Sequence, residues 1–389
     1  MKYYLIAGEP SGDALGSRLM TALRAQDKKA QFHGLGGENM QAEGFVSLFD
    51  TTDLAIMGLA EVISSIPKIL RRINETINNI IEVKPDVVIT IDSWSFSSRI
   101  HKRLRCLNLQ IPQIHYVAPQ VWAWKKKRAR TMYKYIDLLL TLFPNEPKYF
   151  TPYNMETVFV GHPVIESTIV SGNSENKFKK ANNINSNNKL MLVLPGSRHN
   201  EVQRLLPDFL EVVKQMHNKH PDFSFVIPTV STVKKQVKEM VKKSGLPIKI
   251  IEGQENRRDA FKDADVAIAA SGTVALELAI VNVPHIIAYK VPKITEWLMR
   301  KFLHIQYVNL TNILLGREIV PELLQQDCNP QHILSYVEQF IDGKPIYHHQ
   351  MEGFDKVRKL LGMDAQKPSI NAAKTIIAYI KKYHEKNTA

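Results

Sequence analysis

Cysteine is almost absent from this 389-residue chain, which contains only Cys106 and Cys328. The two lie far apart and form no CxxC pair, so a disulfide scaffold and a cysteine-ligated zinc site are both excluded. Apolar and charged residues, at 44% and 23%, stand at ordinary globular levels, which excludes a disordered chain. A reducing, cytoplasmic environment fits this composition best.

Long apolar runs are missing as well, since a membrane span needs ~18 residues without charge. The most apolar region, residues 266–291, is broken by Glu277, Asn282, Pro284 and His285. The short apolar run at the N-terminus leads directly into a glycine-containing turn, which predicts a β-strand rather than a signal-peptide core. We therefore expect a soluble protein.

The common nucleotide and hydrolase signatures are absent too. The chain has no GxxxxGK[ST] loop, and its cluster GLGG at 34–37 is followed by Asn39 where GxGxxG requires glycine. In GEPSGD, residues 8–13, the serine comes one position too late for a GxSxG elbow. The sequence therefore gives little support to assignment as a P-loop ATPase, an NAD-dependent dehydrogenase or a serine hydrolase.

Positive charge is abundant, with 51 Lys and Arg against 38 Asp and Glu, a net charge of +13. Such an excess favours an anionic partner. Nucleic acid, a phosphorylated substrate and an anionic membrane surface are the three candidates.

Strands alternate with helices in two series, which an Asn-rich polar linker at residues 170–189 separates. This pattern predicts an α/β fold with two Rossmann-like, doubly wound parallel-sheet lobes and a ligand cleft between them. The expected domains are lobes at 1–170 and 171–345, followed by C-terminal helices at 346–389. We predict strands at residues 3–7, 31–35, 87–91, 114–117 and 138–142, and at 190–194, 223–228, 248–252, 266–270 and 285–289.

The turn at residues 8–13 follows the first predicted strand and can bind a ligand. Its glycines let backbone N–H groups approach a ligand, and the following helix N-terminus favours anionic groups. A plain turn, with Ser11 or Asp13 as helix cap, is the alternative. The candidate binding residues are Gly8, Glu9, Ser11 and Gly12.

Asp92 directly follows the buried strand at 87–91. Enzymes with α/β folds place catalytic groups at this position, although aspartate is also common in turns.

Two turns of the second lobe favour a nucleotide diphosphate. Arg198 can contact a phosphate beside a helix N-terminus, and a second Ser-Gly-Thr turn repeats this arrangement. Glu277, one turn into the next helix, can accept hydrogen bonds from ribose hydroxyls. Helix capping alone would also explain both turns. The candidate residues are Gly196, Ser197, Arg198, Ser271, Gly272, Thr273 and Glu277.

The segment at residues 115–130 places Trp122 and Trp124 before five basic residues. This combination suits single-stranded nucleic acid, since cations take phosphates and aromatics stack bases. It also suits an anionic membrane surface, where tryptophan lies at headgroup depth. A solvated helix face with packed tryptophans is the alternative.

Residues 59–81 predict an amphipathic helix with Lys68, Arg71 and Arg72 around it. In most globular proteins the apolar stripe of such a helix faces the core, and we expect this first. Contact with a membrane or with acyl chains is the alternative. The apolar residues proposed for that contact are Ile66, Ile69, Leu70 and Ile73.

Taken in order, these motifs resemble those of lipid-A-disaccharide synthases over residues 5 to 330. The matching segments are GEPSGD at 8–13, MGLAEV at 57–62, ID at 91–92, HYVAPQVWAW at 115–124, GHP at 161–163, LPGSR at 194–198, ASGT at 270–273, NLTNIL at 309–314 and GR at 316–317.

The resemblance implies an inverting glycosyltransferase of GT-B architecture whose final helix returns to the first lobe. Such an enzyme joins UDP-2,3-diacylglucosamine to 2,3-diacylglucosamine 1-phosphate through a β-1,6 linkage and releases UDP. It implies that Asp92 is the general base, that Asn312 approaches the nucleotide, and that neither metal nor cofactor is needed. A peripheral position on the inner face of the bacterial inner membrane is implied too. The oligomeric state stays open, with a homodimer as one alternative.

One segment departs from the family pattern. Where the family commonly has IDAPDFN, residues 91–97 read IDSWSFS, so that Ser95 replaces the second acid. The general-base role therefore falls to Asp92 alone.

Two alternatives remain. One is another GT-B UDP-sugar enzyme, either a lipid-linked glycosyltransferase or an epimerase. The other is a nucleic-acid binder, but only residues 122–130 interleave basic and aromatic groups. We therefore expect an anionic lipid partner and no nucleic acid.

Overall fold

The structure is a computed structural model that describes residues 1–54, 59–119, 121, 128–168, 176–270, 272–292, 306–363 and 365–388. The chain forms two compact units. The first comprises residues 1–163 and 364–389, and the second comprises residues 164–363.

Each unit contains one six-stranded sheet in which every strand pair is parallel. The first sheet has the order β2-β1-β3-β4-β5-β6 and the second β12-β11-β10-β7-β8-β9. The strands are β1 (Lys2–Ala7), β2 (Gln31–Leu35), β3 (Val87–Ile91), β4 (Gln113–Tyr116), β5 (Leu138–Thr141), β6 (Glu156–Phe159), β7 (Lys189–Leu194), β8 (Phe223–Pro228), β9 (Ile248–Ile251), β10 (Val266–Ala269), β11 (His285–Tyr289) and β12 (Glu322–Leu324).

Helices connect these strands, as parallel pairing requires. Short 3₁₀ turns lie at Thr51–Leu54, Pro147–Tyr149 and Thr151–Tyr153. The α-helices described are α1 (Pro10–Gln26), α2 (Glu38–Ala42), α3 (Leu59–Val83), α4 (Trp94–Cys106), α5 (Ala129–Met132), α6 (Val164–Thr168), α7 (Lys177–Ala181), α8 (His199–Lys219), α9 (Ser231–Ser244), α10 (Gln254–Lys262), α11 (Val274–Ile280), α12 (Leu310–Leu315), α13 (Pro330–Ile341), α14 (Pro345–Leu360) and α15 (Pro368–Thr388).

Burial explains why these segments are strands. All five residues of β3 are buried, because helices cover both faces of a parallel sheet. The second sheet packs in the same way against α8, whose apolar stripe includes Val202, Leu205 and Phe209. The predicted α/β fold with two doubly wound parallel-sheet lobes is confirmed.

The last helix, α15, belongs to the first unit, where it packs against α1. The Asn371 side chain donates to the carbonyl of Val160 at 3.3 Å, and Arg18 donates to the carbonyl of Pro163 at 3.1 Å. The first bond holds the end of the first αβ series against the C-terminal helix, and the second holds it against α1.

Among the described residues, four histidines lie in the interiors of the two units: His101, His115, His162 and His285. Burial lowers the pKa of His101 and His285 to about 4, and that of His162 to about 3. All three are therefore neutral in the folded protein at neutral pH, while the unfolded chain binds their protons near pH 6.5.

We expect the protein to lose stability as the pH falls from 6.5 towards 4, because the unfolded chain then binds protons that the folded chain does not. Each histidine contributes a slope of up to about 1.4 kcal/mol per pH unit. Urea unfolding across this range should show a smaller slope for His285→Gln than for the parent. The exposed His348 is the control, and its replacement by glutamine should leave the slope unchanged. An equal slope for His285→Gln and the parent would contradict the account.

Candidate active site

The turn after β1 and the residue after β3 meet at one edge of the first sheet, because β1 and β3 are neighbouring parallel strands. Ser11 Oγ donates to Asp92 Oδ2 at 2.9 Å, and Ser93 Oγ donates to Glu9 Oε1 at 2.6 Å. The structure thus brings Glu9, Ser11 and Asp92 into one cluster. Two carboxylates and two hydroxyls face each other there, and Asp92 is half-buried.

Asp92 and Ser93 both adopt left-handed backbone conformations, with φ of 58° and 45°. A non-glycine residue in this conformation costs about 1–3 kcal/mol of conformational free energy and persists only where its surroundings hold it. Such strain is concentrated at functional sites. Here Asp92 N donates to the carbonyl of Tyr116 at 2.9 Å, and Ser97 Oγ donates to the carbonyl of Asp92 at 3.0 Å. The carboxylate itself accepts from Ser93 N at 2.8 Å. The acid is therefore fixed by both backbone and side chain.

The two glycines of the turn allow this close packing. A Cβ on Gly12 would lie 2.9 Å from the carbonyl oxygen of Ile91, so α1 can approach the end of β3 only with glycine there. Gly8 is buried, and a Cβ on it would lie 3.5 Å from Ser93 Oγ. In this structure the glycines bring the two strand ends together, and we propose no direct ligand contact from Gly12.

Asp13, the last residue of the GEPSGD motif, has a structural role. Its buried carboxylate accepts from the backbone N–H groups of Gly37, Asn39 and Met40 at 2.8, 2.8 and 3.1 Å. It therefore fixes the N-terminus of α2 rather than that of its own helix.

A buried polar network lies behind this site, and sequence reasoning did not identify it. Thr90 Oγ1 lies 2.7 Å from His101 Nε2 and 2.6 Å from His115 Nδ1. The indole of Trp94 packs edge-on against His115, with ring centroids 4.8 Å apart. Burial lowers the pKa of His115 well below its ordinary value, so the network is uncharged at neutral pH. Two residues of HYVAPQ, His115 and Tyr116, thus support the strained turn at Asp92.

In the second unit, the turn after β7 contains three of the predicted phosphate-binding residues. Gly196 has a φ of 107°, and Ser197 and Arg198 follow it at the exposed start of α8. The amides of both residues donate to the Glu201 carboxylate, at 3.1 and 3.3 Å. Glu201 also pairs with the Arg198 guanidinium, at 2.8 Å. Sequence reasoning missed this acid, although its position three residues after the helix cap is the spacing of a capping box.

The turn after β10 leads into α11. Gly272 and Thr273 are exposed, while Ser271 lies outside the described residues. Glu277, on the first turn of α11, accepts from Arg257 of α10 at 2.6 Å. Burial raises the pKa of Glu277, and the neighbouring Arg257 opposes that shift.

Asn312 lies in the interior, contrary to the position expected of a nucleotide contact. Its Oδ1 accepts from Ile319 N and Val320 N at 2.9 and 3.0 Å, and its Nδ2 donates to the Val320 carbonyl and to Glu322, both at 2.8 Å. The side chain is fully buried. Contact with a nucleotide would require one of these bonds to break, so we assign Asn312 to support of the loop before β12.

The apolar residues predicted to contact a membrane divide between core and surface. Ile73 is 5% exposed and packs in the core of the first unit, and Ile69 packs partly against the same cluster. The helical stripe thus continues from the surface at Ile66 into the core at Ile73. Ile66 and Leu70 are 46% and 50% exposed.

Some predicted residues lie outside the described parts of the chain. These are Trp122, Trp124 and the lysines at 125–127, together with the Met-Gly pair at 57–58. In the described portion, no helix has both the length and the hydropathy that crossing a membrane requires.

Two α/β units, each with a six-stranded parallel sheet, are the architecture of a GT-B protein. UDP-GlcNAc 2-epimerase from Neisseria meningitidis, solved with UDP-GlcNAc, has the same fold, with a TM-score of 0.64 and 15% identity over 98% of this chain and 100% of that one. MurG of Acinetobacter baumannii is also similar, with a TM-score of 0.54 and 15% identity over 98% and 99%.

The family model of lipid-A-disaccharide synthetase matches residues 3–376. The lipid-A-disaccharide synthase of Paramagnetospirillum magneticum is 44% identical over 388 residues, which cover 99% of both chains. This chain belongs to the lipid-A-disaccharide synthase family.

Proposed function

We propose that this chain joins UDP-2,3-diacylglucosamine to 2,3-diacylglucosamine 1-phosphate, forms a β-1,6 linkage with inversion and releases UDP. Family membership supports the reaction and its UDP-sugar substrate. The observation that supports the chemistry is the fixed position of Asp92. Hydrogen bonds and a left-handed backbone conformation hold this residue at the end of β3.

Asp92 acts in this proposal as the general base. The 6-hydroxyl of the acceptor must lose a proton as it attacks the anomeric carbon, whereas UDP departs without needing one, so a single base is sufficient. Ser11 and the amide of Ser93 orient the carboxylate, and its remaining lone pairs can accept the hydroxyl proton. Ser95 in place of the family's second acid is compatible with this mechanism.

The second unit is proposed to hold UDP. Arg198 and the turn at Gly272 and Thr273 would stabilise the negative charge that develops on the diphosphate. Glu277 would accept hydrogen bonds from the ribose hydroxyls, since Arg257 holds its carboxylate in place.

The first unit is proposed to contact an anionic lipid surface at the cytoplasmic face of the bacterial inner membrane. Ile66 and Leu70 lie one turn apart on α3, on the same side of the helix. The exposed Arg71 flanks them, and so does Lys68, which pairs with Asp53 but keeps half of its side chain exposed. Arg72 is excluded from this surface, because its side chain is largely buried and pairs with both Asp53 and Glu75.

We expect Asp92→Asn to lower kcat roughly 10²–10⁴-fold, because the amide cannot take the hydroxyl proton. UDP affinity, measured by calorimetry, should be unchanged. The matched control is Ser95→Ala, since Ser95 is exposed and three residues away, and it should keep near-parental turnover. An Asp92→Asn enzyme with normal turnover would refute the assignment.

Arg198→Ala should weaken UDP binding about 10–100-fold, since a charge-assisted hydrogen bond contributes about 1.5–3 kcal/mol. Calorimetric titration with UDP measures this directly. Lys214 is exposed on the same helix more than four turns further on, so Lys214→Ala is the control and should bind UDP normally. An unchanged affinity for Arg198→Ala would remove Arg198 from the nucleotide site.

Replacing Ile66 and Leu70 together by serine should lower binding to vesicles of phosphatidylglycerol and phosphatidylethanolamine at least about tenfold. Each exposed apolar side chain that enters lipid contributes about 1.5–3 kcal/mol. Vesicle flotation is the measurement. Ile81, 43% exposed near the other end of α3, provides the control Ile81→Ser. Equal losses for the control and the double variant would contradict the proposed surface.

A further inference from the structure

The Glu201 carboxylate lies at the centre of the turn that the proposed function assigns to the diphosphate. Its Oε2 accepts from the amides of Ser197 and Arg198, at 3.1 and 3.3 Å, and its Oε1 accepts from Arg198 Nη1 at 2.8 Å. The Glu201 side chain is only 12% exposed, whereas that of Arg198 is 79% exposed. The acid is thus enclosed, and the guanidinium that it holds points outward to solvent.

The loop is shaped around this acid. A Cβ on Gly196 would lie 2.7 Å from the Cβ of Glu201 and closer still to its Oε2. With a φ of 107°, the position also disfavours any other residue. Gly196 is therefore needed to fit the loop over Glu201, and the carboxylate and the loop form one packed unit.

A second residue supports Glu201 from another strand. The hydroxyl of Tyr289, at the end of β11, donates to Glu201 Oε1 at 3.4 Å. Burial, followed by the charge of Glu201, raises the pKa of this phenol, which keeps it protonated as a donor. Since β11 and β7 lie on either side of β10, Tyr289 connects the loop after β7 to a strand two positions away.

We propose that Glu201, supported by Tyr289, is a positioning residue that holds Arg198 and its loop ready for the diphosphate without contacting the substrate. This inference rests on the proposed role of Arg198. A free arginine side chain loses rotamer entropy when it is immobilised, and tethering it in advance reduces that loss on binding. A simple helix cap would instead affect stability and leave UDP affinity unchanged.

Glu201→Gln tests the role of the charge, because the amide keeps one oxygen acceptor and loses the ion pair. We expect it to weaken UDP binding about 5–20-fold and to raise the KM for the UDP-sugar more than it lowers kcat. Tyr289→Phe should weaken UDP binding about 2–5-fold. The matched control is Glu211→Gln, which removes another i,i+3 ion pair on the same helix and should bind UDP normally.

A double-mutant cycle separates positioning from a direct effect of Glu201. In the Arg198→Ala background, Glu201→Gln should change UDP affinity little further, because the group that it positions is gone. Fully additive effects would overturn the inference. Unchanged or tighter UDP binding by Glu201→Gln would also overturn the inference. Tighter binding would indicate that the carboxylate only repels the diphosphate.

Melting temperatures of all variants identify any that fail to fold. If Glu201→Gln unfolds, Tyr289→Phe becomes the test of the inference, since it leaves the carboxylate in place. Normal UDP affinity for Tyr289→Phe would then overturn the inference. Normal affinity for Arg198→Ala would overturn the proposed nucleotide site together with this inference. If Arg198→Ala weakens UDP binding while Glu201→Gln leaves it unchanged, this inference is overturned and the proposed nucleotide site still stands.

Discussion

The parallel pairing of β1 with β3 is the constraint on which the candidate active site depends. Its register sets Ala7 opposite Ile91, so the chain leaves both strands at the same edge of the sheet. Gly12 lets α1 pack against the carbonyl of Ile91, and the hydroxyl of Ser11 then reaches Asp92. A carboxylate held by such fixed donors needs little reorganisation when it takes up a proton.

The second unit applies the same principle to positive groups. Its candidate turns follow β7 and β10, which are neighbours in the sheet, and near each turn an acid pairs with an arginine. Glu201 forms an ion pair with Arg198, and Glu277 of α11 forms one with Arg257 of α10. Each of these pairs is neutral overall, so neither contributes to the net charge of +13. On the first unit, the exposed Arg71 lies beside the exposed apolar side chains of Ile66 and Leu70 on α3, a combination suited to lipid.

Local patterns in the sequence predicted the two parallel sheets and the position of Asp92, because buried strands and the turns after them are encoded over a few residues. The edge strands β6 and β12 were missed, since partial exposure weakens their apolar pattern. Helical periodicity placed Ile66 and Ile73 on one stripe, but it carries no signal for where that stripe leaves the core. The contact between Glu201 and Tyr289 joins residues 88 positions apart, so only the sheet order brings it about.

We propose above all that this chain transfers a UDP-activated diacylglucosamine to a phosphorylated diacylglucosamine. Mass spectrometry of the reaction of synthetic UDP-2,3-diacylglucosamine with 2,3-diacylglucosamine 1-phosphate tests it most directly. The account predicts a disaccharide 1-phosphate together with one equivalent of UDP, and no conversion of either sugar alone. Turnover of the UDP-sugar without the acceptor, as an epimerase would show, or the absence of disaccharide would contradict it.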